Sequence, residues 1–412
     1  MKLLHKTLKL SDPDFIRNPY PTLEDLRETA PIFFEPNYNK VFFTRYDDIA
    51  ALLRDKRLGR SILHVLSRDE LGWPPQDPRQ ADFDAFNSSH MLDREPPDHT
   101  RLRGLVSQVF TPRRVEGLLP RVKTLIGRTL DALEDRKTFD FVTDLAEPLP
   151  VAVIGELLGV PDVDQHLLRP WSAAIVKLYE LGFSEEQQQQ ANTAVLEFSD
   201  YLRSLAAERE KNPRDDLITA LVQARDGTDK LSEEEFISTC ILLLNAGHEA
   251  SVNGSSAALL ALSRNPEARE QLVEAATSRE PVPALFKTAV EEFLRFDSPL
   301  PMFERFVLED LNFNGLQFER GQEIVLLYAS GNRDPRKFAR PDTLLLERTP
   351  NPHLTFGLGI HYCLGAPLAR LEMALLLKSL LERFPKIQAH ESTLEYGGGF
   401  VIRGISRLEV EV

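Results

Sequence analysis

Between Asp98 and about residue 298, apolar positions recur at helical spacing. The pattern predicts helices over 98–110, 112–134, 148–159, 163–180, 185–211, 214–226, 232–264, 266–276 and 283–296, divided by Pro, Gly and Asp breaks. The longest, 232–264, opens on Ser232 with Glu235 three residues on, a capping box. Its interior, TCILLLNAGHEASVNGSSAALLALS, is apolar nearly all round, so it should run through the middle of the protein. Upstream, a short helix opens near Tyr20 with Thr22 as its N-cap. Residues 31–35 and 41–44 alternate as paired strands around Asn37-Tyr38-Asn39. Residues 59–97 carry little periodicity and read as a long irregular loop. Residues 300–330 and 385–412 look like short strands, with Gly397-Gly398-Gly399 as a sharp turn. The expected fold is mainly α with small β-sheets (α+β). One domain spans 1–412, with β-rich parts near 31–45, 300–330 and 385–412.

Composition narrows the function. Lys plus Arg number 49 and Asp plus Glu 63 in 412 residues, a net charge of −14. That argues against nucleic acid or an anionic membrane as partner. With 42% hydrophobic and 27% charged residues the chain is an ordinary packed protein. Only Cys240 and Cys363 occur, which excludes a disulfide scaffold and a four-cysteine metal site. The N-terminal MKLLHKTLKL alternates Lys with Leu and is unlike a signal peptide. No apolar run reaches membrane-helix length. The expectation is a cytoplasmic protein without a membrane partner.

The richest segment is Phe356-Gly357-Leu358-Gly359-Ile360-His361-Tyr362-Cys363-Leu364-Gly365. Its glycines free the backbone to approach a flat ligand. Cys363 stands just before a helix opening at Ala366, where amide N–H groups lower a thiol's pKa. This segment resembles the haem-binding loop of the cytochrome P450 superfamily, F-G-x-G-x-H-x-C-x-G, at every fixed position. The resemblance implies a P450-like fold with the 232–264 helix over haem b. It makes Cys363 the axial thiolate of the iron, puts Phe356 and Gly357 beside the cofactor, and gives His361 a haem propionate.

Other segments resemble the same family. Glu292-Phe293-Leu294-Arg295 is similar to its E-x-x-R, a structural pair on one helix face. His99 and Arg103, one turn apart, resemble its H-x-x-x-R propionate ligands, and Arg305 the third. Ala246-Gly247-His248-Glu249-Ala250-Ser251 resembles the oxygen-activation segment A-G-x-[DE]-T. By that likeness Glu249 passes protons toward oxygen, and a groove for dioxygen accounts for Gly247 inside a helix. The family usually has Thr after the acid. Here it is Ala250, and Ser251 is turned about 100° away, so Glu249, Ala250 and Ser251 together pose the question of proton delivery. Cys240 reads as core.

The function implied by the resemblance is a monooxygenase that inserts one atom of O2 into a small hydrophobic or amphipathic substrate. Electrons would come from NAD(P)H through a ferredoxin- or flavodoxin-type donor with its reductase, since the chain has no flavin or nucleotide motif. Arg101, Arg103, Arg113 and Arg114 form a cluster that could receive such a carrier. A peroxide-driven oxygenase and a haem sensor or carrier without turnover are the alternatives. Pocket candidates are Phe83, Phe86, Met91, Leu242, Asn245, Ala246, Leu300, Met302, Phe400 and Val401. Asn245, polar in an apolar run, either orients a substrate or bonds a backbone carbonyl.

Overall fold

The computed structural model describes residues 3–179, 183–224 and 229–412. It is about 55% helical with small sheets. The helix Glu233–Arg264 is the axis of the structure. Ser232 caps it as expected: the Glu235 N–H donates to Ser232 Oγ (3.2 Å) and the Ser232 N–H to Glu235 Oε2 (2.9 Å). Most of its side chains are buried, and it packs against Pro148–Leu158, Leu168–Val176, Ala284–Phe296 and Ala366–Arg383. One large apolar core surrounds it.

The other helices follow the predicted pattern with informative shifts. Residues 112–134 divide into Pro112–Gly117 and Leu119–Asp131, because Pro120 falls in the first turn of the second helix. The 214–226 segment shortens to Leu217–Gln223, capped by Asp216, whose side chain accepts from the Thr219 N–H. Residues 225 and 226, and residue 180 of the 163–180 segment, lie outside the described residues. The early helix spans Tyr20–Thr29, so Thr22 is inside it and is not the cap.

A six-stranded sheet lies to one side, in the order Leu4–His5, Ile32–Glu35, Lys40–Phe43, Glu323–Leu326, Phe303–Val307, Leu58–Gly59. Phe33 pairs with Phe42, which pairs in turn with Val325. Near the C-terminus, Glu395–Gly397 and Gly404–Arg407 pair antiparallel. Gly398 between them has φ 72°, a conformation that suits glycine.

The expected loop at 59–97 contains more structure than its pattern suggests. A 3-10 turn at Pro78–Gln80 leads into a helix at Ala81–Ser89, with a second 3-10 turn at Met91–Asp93. Phe83 and Phe86, one turn apart, bury the face of this helix in the large core. Two aromatic anchors in nine residues are too short a pattern to register as a period.

Candidate active site

The segment from Phe356 folds as a loop feeding the helix Ala366–Arg383. The Cys363 N–H donates to the Phe356 carbonyl (2.9 Å) and ties the loop's ends together. Gly359 has φ 75°, and a Cβ there would stand 2.4 Å from the Leu53 carbonyl oxygen. Only glycine lets the loop lie this close to its neighbour.

The N–H groups of Gly365 and Ala366 are directed at Cys363. The sequence predicts a lowered thiol pKa. Instead burial pushes the Cys363 thiol up, outweighing those amides and the guanidiniums of Arg103 and Arg370. A partly buried sulfur surrounded by groups that favour its anion, with burial opposing that charge, fits coordination to a cation. Cys240 has no such surroundings; it is fully buried in the large core and burial alone raises its thiol.

Beside the loop, the His99 and His361 rings lie 4.5 Å apart. His361 Nε2 meets the Glu95 carboxylate at 3.2 Å. Both ring nitrogens of His99 are buried and lack a hydrogen-bond partner. Burial, with His361 and Arg103 nearby, lowers the His99 pKa to about 4, so its ring is neutral. Arg305 is buried, and its Nη1 donates to the Glu304 carbonyl (2.8 Å). No carboxylate among the described residues forms an ion pair with it. Arg103 Nη2 donates to the Tyr362 carbonyl (2.7 Å). Buried donors therefore exceed the acids available to them. Orphaned imidazole nitrogens and a buried guanidinium bonded to Tyr328 but to no carboxylate fit a dianionic ligand such as the haem propionates.

Sequence reasoning missed two residues here. Arg60 lies over the Phe303 ring at 4.2 Å and reaches Asp93 at 3.4 Å. Glu95 accepts from the Arg60 N–H (2.5 Å) and from His361. Both sit in the segment taken for a loop, and neither has a spacing that signals a role.

Between its exposed ends, the Glu233–Arg264 helix opens again in its middle. Ala246 is exposed, and Gly247, Glu249, Ala250 and Ser251 are half-buried, while most residues on either side are buried. Gly247 lies where two helices cross. A Cβ there would meet Ile154 Cδ1 at 2.9 Å, so the glycine admits the Pro148–Leu158 helix. His248 faces away, with Nδ1 3.2 Å from Ser172 Oγ. Asn253 packs against Gly404, where a Cβ would stand 2.0 Å from Asn253 Oδ1. Asn245 is buried and neither its amide oxygen nor its nitrogen has a partner. The backbone-carbonyl alternative is thus not realised.

The remaining pocket candidates separate into two groups. Leu300 and Val401 are half-buried. Phe83, Phe86, Met91 and Leu242 are buried in the large core. Met302 and Phe400, expected at the pocket wall, are 2% and 1% exposed and fill a small core against the sheet, where Phe400 packs on Phe15 at 4.6 Å.

Glu292 and Arg295 are both 0% exposed and joined by two bonds of 2.8 Å. Glu292 also accepts from Arg348 Nε (2.9 Å), the Leu345 N–H (2.9 Å) and Asn351 Nδ2 (3.2 Å). Arg295 Nη1 donates to the carbonyls of Asn332 and Pro341. The pair thus pins two loop strands to one helix. The arginine cluster proposed for an electron carrier is less available than its sequence suggests: Arg101 pairs with Glu235 and Arg114 with Asp215, while Arg113 is exposed.

Known proteins resemble this chain along nearly its whole length. The cytochrome P450 family profile matches residues 162–395. The polyketide biosynthesis cytochrome P450 PksS of Bacillus subtilis is 38% identical over 97% of each chain. The biotin biosynthesis cytochrome P450 of the same organism is 35% identical over 96% of this chain and 97% of its own. A crystal structure of P450BioI with a hexadec-9Z-enoic acid ligated acyl carrier protein superposes with a TM-score of 0.86 at 34% identity, covering 97% of this chain and 99% of the other. No helix among the described residues is long and apolar enough to cross a membrane. With its cysteine loop, its buried E-x-x-R pair and relatives along nearly its whole length, the chain belongs to the cytochrome P450 family of haem-thiolate monooxygenases.

Proposed function

We propose that this enzyme oxygenates a small hydrophobic or amphipathic organic molecule, with electrons from NAD(P)H delivered by a separate ferredoxin- or flavodoxin-type protein. The observation that carries the reading is the open stretch of the central helix, where Ala246 and Ala250 leave room and Glu249 is the only charged residue. Haem, when bound, supplies the activation of dioxygen and the electron chemistry. Cys363 would hold its iron through the thiolate, with Phe356 and Gly357 in the loop beside it. His99, Arg103, Arg305 and His361 would hold its propionates, with His361 also bonded to Glu95.

Four residues shape the substrate side. Glu249 takes up and passes protons. Ala250 offers no hydroxyl, so the last donor comes from a substrate polar group or from Ser251. The unpartnered Asn245 amide gives a substrate carbonyl or hydroxyl something to bond, at a site otherwise dominated by apolar burial. The relatives support an amphipathic chain as substrate: one is named for polyketide biosynthesis and another was solved with a fatty acyl group on its carrier protein.

The test is a spin-state titration of the haem-loaded protein with free fatty acids, fatty acyl carrier protein and polycyclic alcohols. Product per NADH with a ferredoxin, and separately with a flavodoxin, would follow. Binding of at least one amphipathic class and carrier-dependent product are expected. Turnover driven by peroxide alone, with no response to either carrier, would overturn the electron route.

A further inference from the structure

We propose that Arg370 sets the reduction potential of the haem–thiolate pair through its charge, and that Glu291 positions this charge and partly masks it. The inference rests on Cys363 as axial ligand and concerns side chains outside the ligand set. Arg370 lies one turn into the helix Ala366–Arg383 that the cysteine loop feeds. Its guanidinium carbon stands 4.4 Å over the Phe356 ring, and the Phe356 carbonyl accepts the Cys363 N–H. Nη1 also reaches the hydroxyl of Tyr362 (3.2 Å), the residue next to Cys363, whose carbonyl is held by Arg103. The segment carrying the sulfur is thus bracketed by two guanidiniums.

Glu291 holds Arg370 in a two-pronged grip, Nε to Oε1 at 2.5 Å and Nη2 to Oε2 at 2.9 Å. Such a fork fixes orientation as well as charge. Behind it, His353 Nε2 stands 3.0 Å from Glu291 Oε2. The Thr355 N–H donates to His353 Nδ1 (3.3 Å), so Nε2 carries the ring proton and donates to Glu291. Against the upward push of burial, these partners bring the Glu291 carboxyl down to about 2. The carboxylate is therefore ionised whenever the enzyme works.

The arrangement has a definite electrostatic sense. Arg370 acts on the sulfur as a positive charge that favours the anion. A positive charge beside the thiolate favours the reduced iron, which carries one unit less positive charge. Glu291 grips the Nε–Nη2 edge of the guanidinium and offsets part of that field. Both side chains are partly exposed, 35% and 26%, which moderates the effect without abolishing it. Hydrogen bonds and charges around the ligands, rather than the ligands alone, tune such centres.

Spectroelectrochemical titration of the haem-loaded protein tests this, with Arg370→Gln, Arg370→Lys and Glu291→Gln beside the parent. Arg370→Gln should shift the potential negative. Glu291→Gln, which leaves Arg370 unmasked, should shift it positive. Arg370→Lys keeps the charge and should stay near the parent. Unchanged potentials in Arg370→Gln and Glu291→Gln, or shifts of the same sign, would overturn the proposal. If Arg370→Gln takes up no haem, the sign of the Glu291→Gln shift decides. The reduced CO spectrum is recorded for every variant. Absence of a thiolate-type band in the parent would remove the Cys363 assignment itself, a failure distinct from unchanged potentials under a normal band.

Discussion

Gly247 and Ile154 touch where two helices cross: a Cβ on the glycine would lie 2.9 Å from Ile154 Cδ1 and 3.0 Å from Cγ1. A glycine inside a helix costs about 1 kcal/mol relative to alanine. Here that cost purchases close packing of the Pro148–Leu158 helix on the central one. Gly247→Ala should therefore lower stability, because overpacking costs roughly 1–3 kcal/mol and exceeds the gain in propensity. In an Ile154→Val background, which lacks Cδ1, the same change should be neutral or stabilising. Thermal unfolding of all four proteins in a double-mutant cycle reads the coupling. Additive effects would show that the glycine serves something other than this contact.

Glu292 takes bonds from two guanidiniums, a backbone N–H and an amide in a site without solvent. Glu292→Ala leaves Arg295 and Arg348 uncompensated, at a cost of roughly 3–5 kcal/mol. The expected outcome is little soluble, haem-loaded protein. Glu292→Gln keeps the shape but not the charge and should fall in between. Haem content per polypeptide after purification measures both. Normal loading in Glu292→Ala would show that the helix–loop junction is held by other contacts.

A pH dependence follows from Glu372, on the helix behind the cysteine. Burial alone raises its pKa from 4.5 to about 8. The folded state therefore holds this proton more tightly than the unfolded chain. Its stabilising contribution is full below pH 4.5 and is lost as pH rises through about 8. At about 1.4 kcal/mol per pKa unit the loss amounts to a few kcal/mol. Glu372→Gln should match the parent near pH 4.5 and be more stable at pH 9. Melting temperatures of both haem-loaded proteins across that range give the answer, and parallel curves would mean that the carboxyl ionises without penalty.

Local signals carried most of what was legible in the sequence. The Ser232–Glu235 capping box, the E-x-x-R pair and the cysteine loop are each encoded within a few residues, and the structure places them as read. Features that depend on distant partners were not legible. Lys40–Phe43 pairs with Glu323–Leu326, nearly three hundred residues away, and no local pattern announces that register. Met302 reads as pocket wall because it lies in the apolar span before Arg305, and Phe400 because it lies near the C-terminal turn. Only the fold brings them together with Phe15 into a core. Arg60 and Glu95 gain their significance from His361, which approaches from the far end of the chain.

The most consequential departure from the family pattern is Ala250, half-buried in the open stretch of the central helix. A threonine hydroxyl there would stand one residue from Glu249 and could hand protons onward. Without it, reducing equivalents can be lost as peroxide. Asn253 is turned against Gly404 and so is poorly placed to substitute. Ser251 points about 100° further round the helix. A substrate polar group near Ala250 is therefore the best-placed donor, and coupling should depend on the ligand. Good coupling is expected with a native substrate carrying such a group, and poor coupling with apolar analogues. Ala250→Thr should raise coupling for the poor substrates, and should leave the native one unchanged or impair it by crowding. The measurement is product formed per NADH consumed, for parent and variant, across a graded set of ligands. Uniformly low coupling in the parent and uniformly high coupling in Ala250→Thr, the tightest binder included, would exclude assistance from the substrate and leave the missing hydroxyl as a plain defect in proton delivery.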